Sequence, residues 1–567
     1  MTMSSSTNQS EEKELDMRRT ANYKPNIWKH DFLQTLGTPY DKEEFAMQLN
    51  KLVAQVKCLF VKESDILHKL QLADWIQKLG LANHFGKEID EFLQTIFVSH
   101  QNKKNFGDVQ RLYFSALCFR FLRQHGYDVF PDRLSNYIDV KKGIVVEKDH
   151  LCFSDAKDIM ELLEASHLGL EGEQILDELK KLATTWLKDC FTSSAINIKE
   201  FNVDVERVVH ALELPSHWRV PWFGVKWHVK HFQTEKDMDP DLLELAKLNF
   251  NITQVKLQRE VKELSRWWEK LGLKKDFNFS RNRLVESFMC ATGVAFEPKY
   301  KSLRKWLTKV IILVLLIDDV YDIYASFEEL KPFTTALIQR WDAKELELPE
   351  YMTICFNALQ DVTNEIAYEI AGENNYNMVL PYLKKAWMEF CNALYVEAKW
   401  DKTGYIPSLE EYLSNAWITS SGPLILLHSY FATTYEFQLT DEIDNFSHIY
   451  QDLVYNVSLV IRLCNDLGTA EAESERGDTA SSIACYMNEN DVSEEEARKH
   501  IQDIINSAWK KINGQCSTRL VASMEPFLNQ ARNAARVAHT LYLNGDGFGI
   551  QDRDIKKHIL SLLVEPF

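Results

Sequence analysis

Glycine and proline are scarce in this sequence, with 20 and 14 residues among 567. Proteins built from sheets need many tight turns, and such turns draw heavily on these two residues. Sustained alternation of apolar and polar residues, which is typical of a half-buried strand, is also missing. Apolar residues instead recur at helical spacing along most of the chain, for example over residues 242–250. The sequence therefore predicts an all-α fold.

The ten cysteines contain no CxxC pair, and the closest two, Cys464 and Cys485, are 21 residues apart. This spacing supports neither a zinc site nor a secreted disulfide framework, so we expect reduced thiols. Long hydrophobic runs are missing as well. The longest, Val310–Ile317, has eight residues, whereas a membrane helix needs about 20. We therefore expect no stable membrane insertion.

An excess of positive charge is also missing, because 65 Lys and Arg face 83 Asp and Glu and give a net charge of −18. Such a protein gains nothing from counterion release at a phosphate backbone, so nucleic acid is excluded as an expected partner. If the substrate is itself anionic, metal ions or a cluster of arginines must overcome the negative surface locally.

The N-terminal residues are rich in serine and then in acids. Transit peptides are rich in arginine and poor in acids. We therefore predict a disordered leader over residues 1–17 and a cytoplasmic location, leaving open whether a targeting segment precedes this sequence. Prolines and aromatic residues interrupt the helical pattern around residues 214–222. Because the chain is too long for one core, we predict two domains, residues 18–225 and 226–567.

The sharpest motif is a group of acids at the end of the most hydrophobic stretch. Asp318 and Asp319 follow that stretch directly, and Asp322 lies one turn further on. Asp318 and Asp322 are spaced i, i+4 and so share one face of a helix. Packed carboxylates repel one another and are costly to desolvate, so a cation is their natural partner. Their oxygens suit Mg²⁺; the other interpretation is a solvated acidic end of a helix.

A second polar group recurs on one helical face further along the chain. Asn465, Thr469 and Glu473 are spaced i, i+4, i+8, which aligns an amide, a hydroxyl and a carboxylate. All three offer oxygen to a hard cation. An exposed polar face on an ordinary helix has the same spacing, so this motif alone does not establish a metal site.

Arginines precede both the acidic motif and the second polar motif. Arg281 and Arg283 stand 37 and 35 residues before Asp318, and Arg462 lies one turn before Asn465. Guanidinium groups near a metal site can hold a diphosphate through forked hydrogen bonds. An isolated RxR pattern is also common as plain surface charge.

Together, these motifs resemble, in order and spacing, those of the plant class I terpene synthases. Arg18-Arg19, followed after eight residues by Trp28, is similar to the N-terminal tandem-arginine motif of that family. The resemblance extends from Arg18 to the C terminus. No DxDD motif is present, and Asp237-Met238-Asp239-Pro240-Asp241 does not match one. The resemblance therefore implies ionisation of an allylic prenyl diphosphate rather than cyclisation that begins with protonation.

The family resemblance implies an N-terminal helical α-barrel without catalytic residues and a C-terminal helical bundle that holds the active site. It implies a trinuclear Mg²⁺ cluster, with Mn²⁺ able to substitute, in a monomeric enzyme. The implied metal ligands are Asp318, Asp322, Asn465, Thr469 and Glu473. The implied contacts to the prenyl diphosphate are Arg281, Arg283 and Arg462, together with Asp318, Asp322 and Asn465. Asp319 joins the catalytic group as an acid of less defined role.

Within the family, the chain is most similar to the α-farnesene synthases, over residues 21–29, 244–251 and 544–549. Cyclising relatives commonly carry tryptophan nine positions after the first arginine of the RxR motif, where this chain has Cys290. A thiol offers a carbocation far less than the face of an indole does. We therefore predict an acyclic product, α-farnesene, from farnesyl diphosphate, with Cys290, Tyr542 and Asp546 as further substrate contacts.

Three alternatives stay open at this point. An acyclic monoterpene or alcohol synthase would make ocimene, linalool or nerolidol, from geranyl or farnesyl diphosphate. A chain-elongating prenyl transferase normally carries two aspartate-rich motifs, whereas the second motif here is built from Asn, Thr and Glu. An inactive helical scaffold would be expected to lose its ligand residues first, and these are intact.

Overall fold

The structure is a computed structural model. It describes residues 23–101, 112–135, 138–139, 143–144, 156–192, 204–273, 279–341, 347–434, 450–476, 480–517, 524–548, 551 and 553–567. The predicted leader over residues 1–17 and the tandem arginines Arg18 and Arg19 lie outside these residues. The predicted all-α class is confirmed. The one pair of strands among the described residues is Ile138–Asp139, antiparallel to Gly143–Ile144.

The first helices occupy residues up to 232. They are α1 (His30–Thr35), α2 (Glu43–Lys62), α3 (Ile66–Lys78), α4 (Ala82–Gln101), α5 (Leu112–Gln124), α6 (Asp132–Ser135), α7 (Ala156–Ser166), α8 (Gln174–Thr192), α9 (Val205–Glu213) and α10 (Val225–Phe232). Short 3₁₀ turns form at Pro39–Asp41, Ser216–Trp218 and Trp222–Gly224. The last two lie where prolines and aromatic residues interrupt the helical pattern of the sequence.

The remaining helices are longer on average. They are α11 (Pro240–Leu271), α12 (Leu284–Val294), α13 (Lys301–Asp319), α14 (Phe327–Thr335), α15 (Glu350–Thr403), α16 (Leu409–Thr419), α17 (Gly422–Thr434), α18 (Gln451–Arg476), α19 (Ser482–Asn490), α20 (Glu494–Ser517), α21 (Glu525–Tyr542) and α22 (Arg553–Leu563). A 3₁₀ turn forms at Pro298–Tyr300, and π-helical turns form at Val320–Tyr324 and Ala336–Arg340. Gly372 interrupts α15 with a positive φ of 63°.

The described residues cluster into two compact units. One contains those of Met1–Gly37, Gln254–Ala508 and Ser523–Glu565, and the other those of Thr38–Thr253, Trp509–Ala522 and Pro566–Phe567. The domain boundary expected at residue 225 stays a prediction. Among the helices that the structure describes, none combines the length and the hydropathy needed to cross a bilayer.

The core of the first unit forms around α13. Every residue from Val310 to Ile317 is buried, as expected of a helix that is apolar on all sides. Helices α12, α15 and α17 pack against α13, and α21 packs against α12, α17 and α18. The apolar run of the sequence thus becomes the central helix of this unit, and it carries its acids to one end.

The backbone changes course where α13 ends. The turn Val320–Tyr324 is π-helical and is closed by a 3.0 Å hydrogen bond from the Ala325 amide to the Val320 carbonyl. Such turns are rare and are often found at functional sites. Ser326 then starts α14 with a capping box that involves Glu329. The acids of the first motif therefore lie at a rigid, capped junction.

Candidate active site

A cavity of about 610 Å³ lies within the first unit. Ile311, Val314 and Leu315 line it from α13, one to two turns before the first acid. The polar residues that line it come from several elements and include Arg281, Asp318, Asp322, Glu397, Arg462, Asn465, Thr469, Tyr542 and Asp546. The cavity therefore combines an apolar wall with a concentration of charged and oxygen-bearing side chains.

The first acidic motif divides between the cavity and the protein interior. Asp318 and Asp322 both line the cavity. Asp319 does not line it and is fully buried. One Asp319 oxygen accepts hydrogen bonds of 2.8 Å from the Ser280 hydroxyl and from the Arg281 amide. Burial raises the pKa of Asp319, while the charge of Arg281 opposes that rise.

Arg281 joins the two adjacent acids of this motif. Its Nη2 lies 2.5 Å from Asp318, and its Nε lies 3.0 Å from Asp319. The ring of Tyr23 lies over the guanidinium group at 5.2 Å, within the range of a cation–π contact. A single lysine nitrogen could not reproduce this two-sided arrangement.

Arg283 occupies a different place from Arg281. Its side chain is buried and is not among the residues that line the cavity. Its Nε donates a 2.5 Å hydrogen bond to the carbonyl of Phe548, a residue that does line the cavity. In this structure, Arg283 therefore holds the backbone of the loop after α21, and its role at the diphosphate stays a prediction.

The second motif lies across the cavity on α18. Asn465 and Thr469 both line the cavity, and the Thr469 hydroxyl donates a 2.9 Å bond to the Asn465 carbonyl. Glu473 belongs to the same helix, but its side chain lies outside the described residues. Arg462 also lines the cavity, and its Nε lies 2.8 Å from both the Tyr412 hydroxyl and Asp466.

The end of α21 and the loop that follows it bring the two predicted C-terminal residues to the cavity. Tyr542 and Asp546 both line it. Burial, and then the charge of Asp546, raise the pKa of Tyr542. The loop approaches α18 closely at Gly468, where an added Cβ would lie 3.0 Å from the Tyr542 Cβ and 3.1 Å from the Gly545 carbonyl. Glycine at this position therefore allows the loop to close over the second motif.

Cys290 lies behind the cavity wall. It is buried on α12 and is not among the lining residues. Burial raises the pKa of its thiol to about 12, so the group is neutral at physiological pH. Cys290 also contributes to the raised pKa of Tyr542, after burial and Asp546, so it lies near a residue that does line the cavity.

Sequence reasoning missed Glu397 on α15. This residue lines the cavity, and its Oε1 accepts a 2.8 Å hydrogen bond from the Thr419 hydroxyl. Burial raises the pKa of Glu397, which the nearby Arg462 charge opposes. No cluster of acids surrounds it in the sequence. Only the packing of α15 against α16 and α17 brings this carboxylate to the site.

The described side chains offer a hard cation an incomplete set of ligands. Four of the five predicted ligands line the cavity, namely the carboxylates of Asp318 and Asp322, the amide of Asn465 and the hydroxyl of Thr469, and all supply oxygen. In the part of the chain that the structure describes, no three His, Cys, Asp or Glu side chains gather into a metal cluster. Mg²⁺ commonly binds through one or two carboxylates, with waters and substrate phosphates completing its shell. These residues therefore fit Mg²⁺ that binds together with a phosphorylated substrate.

Comparison with known proteins identifies the family to which this chain belongs. Residues 27–212 match the family model of the terpene synthase N-terminal domain, and residues 269–511 match that of the terpene synthase metal-binding domain. The α-farnesene synthase of Ricinus communis is 51% identical over 556 residues, which cover 98% of this chain and 96% of that protein. The (E,E)-α-farnesene synthase of Malus domestica is 52% identical over 559 residues, covering 97% and 94%.

A solved structure shares the fold at similar coverage. Isoprene synthase from grey poplar, in complex with three Mg²⁺ ions and dimethylallyl-S-thiolodiphosphate, superposes with a TM-score of 0.83 and 38% identity. The match covers 96% of this chain and 99% of that one. The chain therefore belongs to the terpene synthase family, and it is a lyase that acts on prenyl diphosphates and uses divalent metal ions.

Proposed function

We propose that the protein converts farnesyl diphosphate to α-farnesene and diphosphate with Mg²⁺. The observation that carries this proposal is the identity of 51–52% to two α-farnesene synthases over nearly the whole chain. The site supports it, because an apolar wall adjoins oxygen ligands and two arginines at one cavity.

The proposed ligands for Mg²⁺ are Asp318, Asp322, Asn465, Thr469 and Glu473. When bound, the metal supplies Lewis-acid stabilisation of the departing diphosphate. Arg281 and Arg462 bind the same group through their guanidinium forks. Preorganised positive charge at the leaving group is worth several kcal/mol in reactions of this type. The metal and the two arginines would therefore favour cleavage of the bond between C1 of the substrate and the diphosphate oxygen.

The proposed reaction has two steps, ionisation of the substrate and loss of a proton. The C1–O bond breaks, and its electron pair leaves with the diphosphate. The allylic cation loses a proton from C4, whose C–H electrons form a new double bond, and the released diphosphate accepts the proton. The apolar wall formed by Ile311, Val314 and Leu315 holds the hydrocarbon and excludes water, which would otherwise capture the cation as an alcohol.

Two of the residues predicted to act directly are better proposed as positioning residues. Asp319 holds the Arg281 backbone amide and lies beside its guanidinium group. Arg283 holds the carbonyl of Phe548 and so supports the loop that carries Asp546. Neither lines the cavity. Each therefore acts through a neighbour that does.

We further propose the alternative metal, the cellular location and the assembly state of the enzyme. Mn²⁺ substitutes for Mg²⁺, the enzyme is a cytoplasmic monomer, and its N-terminal domain over residues 18–225 carries no catalytic residue. Cys290 leaves the product acyclic, and Tyr542 and Asp546 close the cavity.

Gas chromatography of the products tests the proposed function. Purified protein is incubated with farnesyl diphosphate and, in parallel, with geranyl diphosphate, each with Mg²⁺ and with EDTA. We expect an acyclic C15 tetraene that depends on Mg²⁺, and acyclic monoterpenes from geranyl diphosphate. Mainly cyclic sesquiterpenes, or turnover of geranyl diphosphate alone, would contradict the proposal.

A further inference from the structure

The acid next to Asn465 is turned away from the cavity. Asn465 lines the cavity, whereas Asp466 is fully buried. Consecutive residues of an α-helix point about 100° apart, so Asn465 faces the cavity while Asp466 faces the protein interior. The Asp466 carboxylate accepts a 3.0 Å hydrogen bond from the Ser482 amide and lies 3.1 Å from the Tyr412 hydroxyl through each oxygen.

Arg462 completes this buried group. Its Nε lies 2.8 Å from Asp466, one turn away on α18, and 2.8 Å from the Tyr412 hydroxyl. The guanidinium group also lies over the Tyr412 ring, 5.5 Å from its centre. Tyr412 itself is fully buried. The Nε edge of the Arg462 head group therefore contacts two buried partners, and the group lies over the ring of one of them.

We propose that Asp466 and Tyr412 are positioning residues that hold Arg462 in the orientation in which it binds the diphosphate of the substrate. This proposal rests on the proposed function. A long arginine side chain loses considerable rotamer freedom when it binds an anion. The contacts made through Nε remove much of that freedom beforehand, and none of those contacts involves the terminal nitrogens.

The charge of Asp466 also matters to this arrangement. A buried carboxylate without a partner is costly, and the adjacent guanidinium compensates it. Arg281 has the same relationship to Asp319 on the other side of the cavity. In both motifs, the acid beside a proposed metal ligand is buried against an arginine that lines the cavity. The repeated arrangement argues that these acids serve the arginines.

Binding of inorganic pyrophosphate tests the proposal without requiring turnover. Isothermal titration calorimetry with pyrophosphate and Mg²⁺ is carried out on the full chain, on Asp466→Asn, on Arg462→Lys and on the double variant. Removing a hydrogen-bond partner of a metal ligand typically weakens metal binding about 10–100-fold, and we expect about 10-fold weaker pyrophosphate binding in Asp466→Asn by analogy. Arg462→Lys should weaken it by at least as much, because it loses the guanidinium fork itself. The double variant should bind within about twofold of Arg462→Lys, because Asp466 then has no arginine to orient.

Glu260→Gln is the matched control. Glu260 forms a buried, two-pronged pair with Arg304 at 2.7 Å in the same unit, and neither residue lines the cavity. Glu260→Gln should lower the melting temperature and leave pyrophosphate affinity unchanged. Tyr412→Phe, which removes one hydroxyl, is a gentler second variant and should weaken pyrophosphate binding while circular dichroism stays unchanged.

Two outcomes would overturn the inference. One is additive loss of affinity in the double variant, which would mean that Asp466 acts independently of Arg462. The other is unchanged pyrophosphate affinity in both Asp466→Asn and Tyr412→Phe. Neither outcome bears on product identity, which gas chromatography measures separately. Failure of the product test with the expected coupling intact would leave the positioning role standing for a different prenyl diphosphate.

Discussion

The indole nitrogen of Trp28 donates a 2.8 Å hydrogen bond to Glu286, 258 positions later in the chain. Gln551 donates a 2.7 Å bond to the same carboxylate oxygen, and its amide nitrogen also lies 3.1 Å from the Asn26 side chain. One buried carboxylate thus joins the segment around Trp28 to the residues after α21. Tyr23, in the same segment, lines the cavity.

We predict that Trp28→Phe weakens the connection between the segment around Trp28 and the residues after α21. The variant keeps most of the ring but loses the donor to Glu286, so water should enter the cavity more often during turnover. Gas chromatography should show a larger fraction of C15 alcohol and a lower kcat. Trp306→Phe is the matched control, because Trp306 donates a 2.6 Å bond to Glu369 in the same unit and does not line the cavity. Equal alcohol fractions in the two variants would contradict the role.

The pH dependence of stability provides a separate test of Glu286. Burial raises the pKa of Glu286 above its ordinary value of 4.5, with hydrogen bonds from Gln551 and Trp28 and the charge of Arg283 opposing the rise. The folded state therefore holds the proton more tightly than the unfolded state. The stability that this group contributes is full below the unfolded pKa and is lost as pH rises through the folded pKa.

Glu286→Gln removes that titration and keeps similar hydrogen-bonding groups. We predict that the melting temperature of the parent falls relative to that of Glu286→Gln as pH rises from mildly acidic to neutral. Differential scanning calorimetry across this range measures the difference. A difference that does not change with pH would show that Glu286 has the same pKa in both states.

The proposed metal ligands give a third prediction. Asp318→Ala or Glu473→Ala should remove most turnover, because each deletes a charged oxygen ligand. Far-ultraviolet circular dichroism should be unchanged, and added EDTA should abolish the parent's activity. Asp241→Ala is a control in which a half-buried acid at the start of α11, in the other unit, is removed. Near-normal turnover in both ligand variants would refute the metal assignment.

Two pairs of residues in this site could be grouped from their spacing in the sequence. Asp318 and Asp322 lie on one face of one chain segment, as do Asn465 and Thr469, and helical periodicity places such pairs together. Arg283 comes from the local RxR pattern and Cys290 from the family resemblance, yet neither lines the cavity. Which way a side chain turns depends on the elements packed around it. For Arg283 that partner is Phe548, 265 positions away.

The sequence did not single out Glu397 and Tyr412, although both lie at or beside the site. Nothing in their local sequence distinguishes them from other helical residues. Tyr412 becomes important because α16 packs against α18, which carries Arg462, and Glu397 reaches the cavity because α15 packs against α16 and α17. The two short strands Ile138–Asp139 and Gly143–Ile144 were not foreseen either, since two residues are too few to show alternation.

Gly468 offers a test of loop closure. We predict that Gly468→Ala lowers kcat, because the new Cβ would lie only 3.0 Å from the Tyr542 Cβ and 3.1 Å from two backbone oxygens. Backbone atoms yield less readily than flexible side-chain ends, so the loop after α21 must move. Gly514→Ala on α20 is the control, since a Cβ there meets nothing within 4 Å and alanine favours a helix. Full activity of Gly468→Ala would show that the loop need not approach so closely.

The product prediction depends on Cys290. Without an indole at position 290 to stabilise later cations, proton loss should outcompete ring closure, and each 1.4 kcal/mol of relative barrier shifts the product ratio about tenfold. We predict that Cys290→Trp lowers the output of acyclic tetraene or introduces cyclic sesquiterpenes, as measured by gas chromatography of the products from farnesyl diphosphate.

Added volume alone could cause such a change, because Cys290 is buried near Tyr542 and overfilled cores typically lose about 1–3 kcal/mol. Cys290→Leu adds apolar bulk without a π face and is the matched control. Cyclic products from Cys290→Trp, together with an unchanged product profile from Cys290→Leu, would establish the aromatic face as the cause. Identical product profiles from the two variants would assign the effect to volume and contradict the electronic argument.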